Sequence, residues 1–402
     1  MEEHIIILVI ALVILSYGYI SNFLARYDIS GPMVFTGLGL LFSPLGLNFA
    51  QLNIDANMVT VLVEIALVLV LFSDAALLDL GLLKQSWKIP ARLLFIGLPI
   101  TVVAGTIAGK ILFPQMPFLD LLLLALILTP TDAALGKAVV SDPIVPKTVR
   151  STINVESGLN DGIIFPILIT VVAAISAGIH HEHQGNWMIY VAEQIVFGGL
   201  AGAAIGYLGA KAQMKCLQKG WMVETYRNLV PIALAILSYY SAEVVSGNGF
   251  IAAFFAGLYA GNTNQGVREH IEDFAESEGE LLVLISFFVF GFAFVPVTWD
   301  YISAPVIVYA LLSLTVLRML PVILCLLGSK LDFSTMSFIA WFGPRGIASI
   351  LYALLVAHEF GSIQGYEQLF AVVTLTVLMS IFAHGFSAQP LANLYSKHIQ
   401  KP

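Results

Sequence analysis

The run Asn154-Val155-Glu156-Ser157-Gly158-Leu159-Asn160-Asp161-Gly162 concentrates acids, amides and a hydroxyl inside an otherwise apolar stretch. On a helix, at about 100° per residue, Asn154, Ser157 and Asp161 share one stripe, and Glu156 and Asn160 the adjacent one. A second group, Leu128-Thr129-Pro130-Thr131-Asp132-Ala133-Ala134, sets an acid beside a proline. A third, Trp341-Phe342-Gly343-Pro344-Arg345-Gly346-Ile347-Ala348-Ser349, sets a base beside one. Carboxylate, hydroxyl and carbonyl oxygens are hard ligands and suit a hard cation rather than a soft metal. Asp132 and Asp161, with Ser157 and carbonyls freed near the prolines, are the candidate set. Glu156 and Asn160 are expected to face Arg345. Arginine stays protonated, so a Glu156–Arg345 pair would be structure and not a proton carrier.

These groups must be positioned inside a membrane. The chain has 402 residues, 58% hydrophobic and 11% charged, with a mean hydropathy of +0.90. Soluble domains carry about 25% charged residues, so this chain has too little polar surface to cover a water-facing exterior. A spanning helix needs about 20 mostly apolar residues. Punctuation by Gly, Pro and charge gives thirteen candidate spans: 5–25, 30–48, 58–78, 91–112, 118–138, 149–178, 187–210, 228–245, 248–262, 280–298, 303–327, 335–357 and 366–388. With the N-terminus outside, all 18 Lys and Arg fall on the cytoplasmic side except Lys110, Arg318 and Arg345, as the positive-inside rule expects. The acidic start Met1-Glu2-Glu3-His4 lacks the positive charge of a cleavable signal, so the first span reads as retained. The expected location is a prokaryotic plasma membrane, with the C-terminus in the cytoplasm.

An ionisable group in the bilayer core costs at least roughly 2.5–3.5 kcal/mol. Deep within spans lie Glu64, Asp74, Asp132, Glu156 and Asp161, against only Arg318 and Arg345. The plainer alternative is that each acid caps a helix or closes a salt bridge, but the bases are too few for that.

Pro130 and Pro344 interrupt spans five and twelve at mid-membrane depth. A proline displaces the carbonyl four residues earlier, here those of Leu126 and Ala340. Single prolines of this kind are often ordinary kinks. These two, however, sit seven spans apart and so run in opposite directions. They correspond if 1–178 and 228–402 are two inverted six-helix repeats joined by a linking helix at 187–210, within one transporter domain. Paired interruptions of this kind point to a transporter's central site.

Other features carry less. Gly198, Gly202 and Gly206 are spaced four apart, and Gly198 and Gly202 permit close helix packing, within the chain or between subunits. His180, His181 and His183 read as a solvated loop before a metal site, and the acidic 261–280 loop as a solvated face. Arg318 has no evident partner, and a structural ion pair is its expected role. Cys216 and Cys325 are too few for a disulfide framework. Neither Gly-x-Gly-Asp nor His-Glu-x-x-His occurs, which weakens an intramembrane protease. Obligatory coupling of two flows would separate an antiporter from a channel, and solute dependence would separate it from a symporter.

Thr131-Asp132, the Glu156–Gly162 run, Gly343-Pro344-Arg345-Gly346 and Leu71-Phe72-Ser73-Asp74 together resemble the sodium/proton antiporters of the NhaP/NHE type, over nearly the whole chain. The resemblance implies an all-α polytopic membrane protein with the thirteen-helix antiporter fold, crossed interrupted helices and a homodimer in the bilayer. It implies exchange of Na⁺ or Li⁺, sometimes K⁺, for H⁺, with no enzymatic activity, cofactor or nucleic-acid partner. The acid matching Asp161 is implied to bind cation and proton in turn. Thr131, Asp132 and Ser157 would assist, Asp74 would supply the acidic motif, and Glu156 and Arg345 would form a structural pair. Asn160, where another branch carries a second Asp, implies electroneutral exchange. Departures are Ala133-Ala134, where many members have Pro-Val, and the absence of a long soluble regulatory tail.

Overall fold

The apolar runs fold as helices because lipid offers no partner for backbone N–H and C=O groups. In the computed structural model every regular element among the described residues is helical. Those residues are 2–48, 57–78, 80, 81, 87–132, 135, 139, 144–180, 187–275 and 279–399. The Ala133-Ala134 departure and His181 to His183 lie outside them. The helices are α1 (Glu2–Ala25), α2 (Gly31–Phe42), α3 (Asn57–Leu77), α4 (Lys88–Leu112), α5 (Phe118–Ile127), α6 (Lys147–His180), α7 (Trp187–Gln218) and α8 (Leu229–Val244). They continue with α9 (Gly249–Thr263), α10 (Gln265–Phe274), α11 (Glu280–Trp299), α12 (Ala304–Leu326), α13 (Phe333–Trp341), α14 (Ile347–Glu359) and α15 (Glu367–Ile399). Seven of these, α1, α4, α6, α7, α11, α12 and α15, are long and apolar enough to cross a membrane. Among the described residues, length and composition alone therefore do not return thirteen spans: expected spans five and twelve are broken, and α2, α8 and α9 have only 12, 16 and 15 residues.

Two expected boundaries move for physical reasons. The last span was expected to end near 388, where polarity rises. The helix instead runs to Ile399, because Ala388, Ala392 and Tyr395 bury one face against α13; the Tyr395 ring stacks 4.2 Å from that of Phe338. The acidic loop contains α10, whose Val267, Ile271 and Phe274 are buried at helical spacing while Glu269, Glu272 and Asp273 face outward.

The chain divides into two compact units. One comprises 1–60, 88–157 and 284–402; the other comprises 61–87 and 158–283. In the second, α9 packs on α7 over Gly198, Gly202 and Gly206. A side chain at Gly202 or Gly206 would collide with the backbone of Ala252 or Ala256. The glycine stripe is thus intrachain packing. The opposite face of α9 meets α3, with Gly257 and Gly261 against the carbonyls of Phe72 and Ala76. Asn262 fastens this contact, donating to Leu78 O (2.8 Å) and accepting from Leu80 N (3.0 Å).

In the first unit, α2 and α11 cross at Gly39 and Gly291, each seated on the other's backbone. Asp332 caps α13, accepting from the Thr335 amide at 3.2 Å and the Thr335 hydroxyl at 2.5 Å. These bonds, the hydroxyl's foremost, hold the Asp332 carboxyl below its usual range.

Overpacking a tight helix contact costs roughly 1–3 kcal/mol. Gly202→Leu should therefore lower the melting temperature in detergent. Gly18→Leu, where an added Cβ meets nothing within 4 Å, should leave it unchanged. Equal melting of both variants would contradict this packing.

Candidate functional site

The site is organised by two places where helices stop. Helix α5 is apolar and buried from Leu123 to Ile127, and it ends because Pro130 disfavours helical geometry at Thr129. Thr129 turns its hydroxyl back onto Ala125 O (2.6 Å). The Leu126 carbonyl, expected to be free, accepts from Thr129 N (3.4 Å). The carbonyls of Ile127, Thr129, Pro130 and Thr131 turn outward instead, and each receives a side chain from elsewhere in the unit. Ser349 Oγ donates to Ile127 O (2.7 Å). Arg345 Nη1 donates to Thr129 O (2.6 Å) and Pro130 O (3.2 Å). Ser157 Oγ donates to Thr131 O (2.7 Å).

The second break, Phe342 to Gly346, separates α13 from α14. It meets the first directly. Asp132 N donates to Pro344 O (2.9 Å), and Asp132 Oδ2 accepts from Ile347 N (2.7 Å). Asp132 therefore caps α14, whose first amides have no partner within the helix and whose N-terminus attracts negative charge. Gly346 leaves room for that carboxylate, since a Cβ there would collide with Asp132 Oδ2. Gly343 leaves room for the Arg318 guanidinium in the same way. Both glycines of Gly343-Pro344-Arg345-Gly346 are thus explained by a charged neighbour.

The expected partnership of Glu156 with Arg345 needs correction. Glu156 makes a two-pronged pair with Arg318, Nη1 to Oε1 at 2.5 Å and Nη2 to Oε2 at 2.8 Å. Arg345 is directed to the carbonyls of the first break. The reason is local: outward-turned carbonyls concentrate partial negative charge and need a donor, and Arg345, fixed beside them by the backbone, supplies it. Arg318 projects from α12, which is itself interrupted at Thr315. Sequence reasoning missed this partner. The available signal was Arg318 itself, an intramembrane arginine that needs an acid to pair with.

Thr131, Asp132, Glu156, Ser157 and Arg345 are brought together in the first unit. Asn160 and Asp161 follow on α6 as part of the second unit, both buried. Asp161 borders a small recess whose other lining is apolar, including Leu71, Phe165, Ile251 and Phe254. A bare carboxylate in such a place is costly unless a proton, a cation or hydrogen bonds accompany it. Asp74 lies half-buried on α3 in the same unit.

The family model described as "Sodium/hydrogen exchanger, transmembrane" matches residues 8–394. The chain belongs to the sodium/hydrogen exchanger family. A similar relative is a Na⁺/H⁺ antiporter of Schizosaccharomyces pombe, 28% identical over 70% of this chain and 66% of that protein. Another is the K⁺/H⁺ antiporter NhaP of Alkalimonas amylolytica, 26% identical over 84% of this chain and 58% of that one. The chain thus spans somewhat more than half to about two thirds of these two curated exchangers. Among solved structures, the sodium proton antiporter MjNhaP1 of Methanocaldococcus jannaschii matches with a TM-score of 0.77 and 22% identity. That match covers 98% of this chain and 100% of MjNhaP1. The chain therefore has the helical fold of MjNhaP1, which is the fold expected from its motifs.

Removing one member of a buried pair costs roughly 3–5 kcal/mol, because the other is left uncompensated. Glu156→Ala and Arg318→Ala should therefore each lower the melting temperature strongly, and the double variant should recover part of the loss. Glu156→Ala combined with Arg345→Ala should lie closer to additivity. The reverse ranking of the two couplings would restore Arg345 as the partner.

Proposed function

We propose that this chain is a secondary antiporter exchanging Na⁺ or Li⁺ for H⁺. K⁺/H⁺ exchange by the same mechanism is the second reading, favoured by the K⁺/H⁺ name of one relative. The observation that carries the reading is the pair of helix breaks that cross in one unit, with Asp132, Ser157 and Arg345 tied to backbone that has left the helix. Irregular backbone at membrane depth is tolerated where it lies against protein or lines a cavity, and transporters place their ion sites there.

Competition at one carboxylate couples the flows. Asp161 accepts either a proton or a metal ion, and Thr131, Asp132 and Ser157 assist the ion with oxygen ligands. Asp132 keeps its charge throughout, because the N-terminus of α14 favours an anion there. Asn160 does not titrate, and Arg345 remains a cation. The loaded site crosses by a rigid-body movement of one repeat against the other, whereas the doubly charged empty site does not. The two inverted repeats, the homodimer, the plasma-membrane location and the cytoplasmic C-terminus belong to the same proposal. No cofactor enters the cycle, since the cation is cargo.

Asp161→Asn should abolish exchange while the protein stays folded. Dye-reported proton movement in proteoliposomes, with Na⁺, Li⁺ and K⁺ added in turn, is the assay. Wild-type turnover by this variant would refute the carrier.

One exchanging carboxylate carries one cation or one proton, so the exchange should be electroneutral. If Asp132 also released a proton in each cycle, transport would respond to voltage by about 2.3 kcal/mol per 100 mV for each net charge moved. Vesicles clamped with valinomycin and K⁺, once K⁺ is excluded as a substrate, should show a rate and an end-point independent of potential. A voltage-dependent end-point would require a second proton.

A further inference from the structure

Helix α15 carries Ser380, His384 and Ser387, which the cycle above does not use. Ser380 and His384 are 0% and 1% exposed. Together they grip both ends of the Phe342–Gly346 break. At one end, Arg345 N donates to Ser380 Oγ (2.7 Å). At the other, His384 Nε2 lies 3.1 Å from Trp341 O. Ser380 Oγ and His384 Nδ1, 3.1 Å apart, join the two ends. The Trp341 ring lies against the imidazole, with centroids 5.0 Å apart, and its Nε1 donates to Ser387 Oγ (3.0 Å).

Chemistry orients this chain. A carbonyl only accepts, so the Trp341 oxygen requires a proton on His384 Nε2. In the neutral ring, Nδ1 then presents a lone pair and accepts from the Ser380 hydroxyl. That hydroxyl, one donor and two acceptors, still receives the Arg345 amide. Nδ1 also lies 3.1 Å from Ser380 O, to which it cannot donate in this tautomer, so the hydroxyl is its partner.

The grip matters because of what the break delivers. Arg345, whose amide is held here, sends its guanidinium to Thr129 O and Pro130 O. Pro344 O and Ile347 N, on either side of it, hold Asp132. A slip of the break would loosen all of these together. We propose that Ser380 and His384 are positioning residues, a clasp on α15 that sets the ion site's geometry without touching the ion. The effect on transport rests on the antiport reading; the effect on the backbone does not.

Two readouts test it in the full-length protein. His384→Phe keeps a ring against Trp341 but removes both nitrogens, and Ser380→Ala removes the link to Arg345. Losing one buried hydrogen bond corresponds to about a tenfold effect. Both variants should therefore raise the half-saturating Na⁺ or Li⁺ concentration in proteoliposomes by about that factor. They should also speed hydrogen exchange in peptides spanning 342–347 to a similar degree. His384→Gln, whose amide can still donate near the Nε2 position, should recover part of both. Unchanged exchange at 342–347 in folded His384→Phe and Ser380→Ala would overturn the clasp. So would lowered yield or melting with unaltered half-saturation. If wild-type protein moves no protons on adding Na⁺, Li⁺ or K⁺, the antiport reading falls, and hydrogen exchange alone decides the clasp.

Discussion

A helix broken inside a membrane leaves carbonyls and amides with no water to receive them. Here two such breaks satisfy each other. Asp132, on the first, reaches the N-terminus of α14 beyond the second. Arg345, on the second, reaches the carbonyls that end α5. A carboxylate at a helix N-terminus and a cation at carbonyls are the favourable signs at both places. The exchange is reciprocal, so each break helps to hold the other.

Much of the first unit follows from this crossing. The glycines beside Pro344 exist where charged groups pass, Arg318 at Gly343 and Asp132 at Gly346. With Arg345 committed to carbonyls, Glu156 requires another base, and α12 supplies Arg318. Ser157 then ties α6 to the same break through Thr131 O. Ser349 fastens α14 to it as well, and Ser380 fastens α15 to the second break. Thr131, Asp132 and Ser157, proposed to assist the ion, thus belong to an arrangement made rigid by hydrogen bonds, and a hard cation site needs such preset oxygen ligands.

The sequence made the helical class plain, because lipid dictates composition. It also exposed both breaks, because proline beside polar residues cannot continue a buried helix unaided. It misassigned the arginines. Periodicity placed Glu156 on a helix stripe but said nothing about which distant base would meet it. It did not single out Ser380 and His384, whose one-turn spacing looks ordinary within α15. Their role appears only when the ends of another helix are set against them. The end of α15 was misjudged for a similar reason: small alanines and one tyrosine pack well despite modest hydropathy.

The reciprocal crossing is open to one direct measurement. Thermal unfolding in detergent should be compared for wild type, Asp132→Ala, Arg345→Ala and the double variant. Mutual support predicts large single losses and a double loss well short of their sum, because once one break is released the other tie holds nothing. Additive losses would show that the two breaks are stabilised separately, and the account built on their crossing would fail.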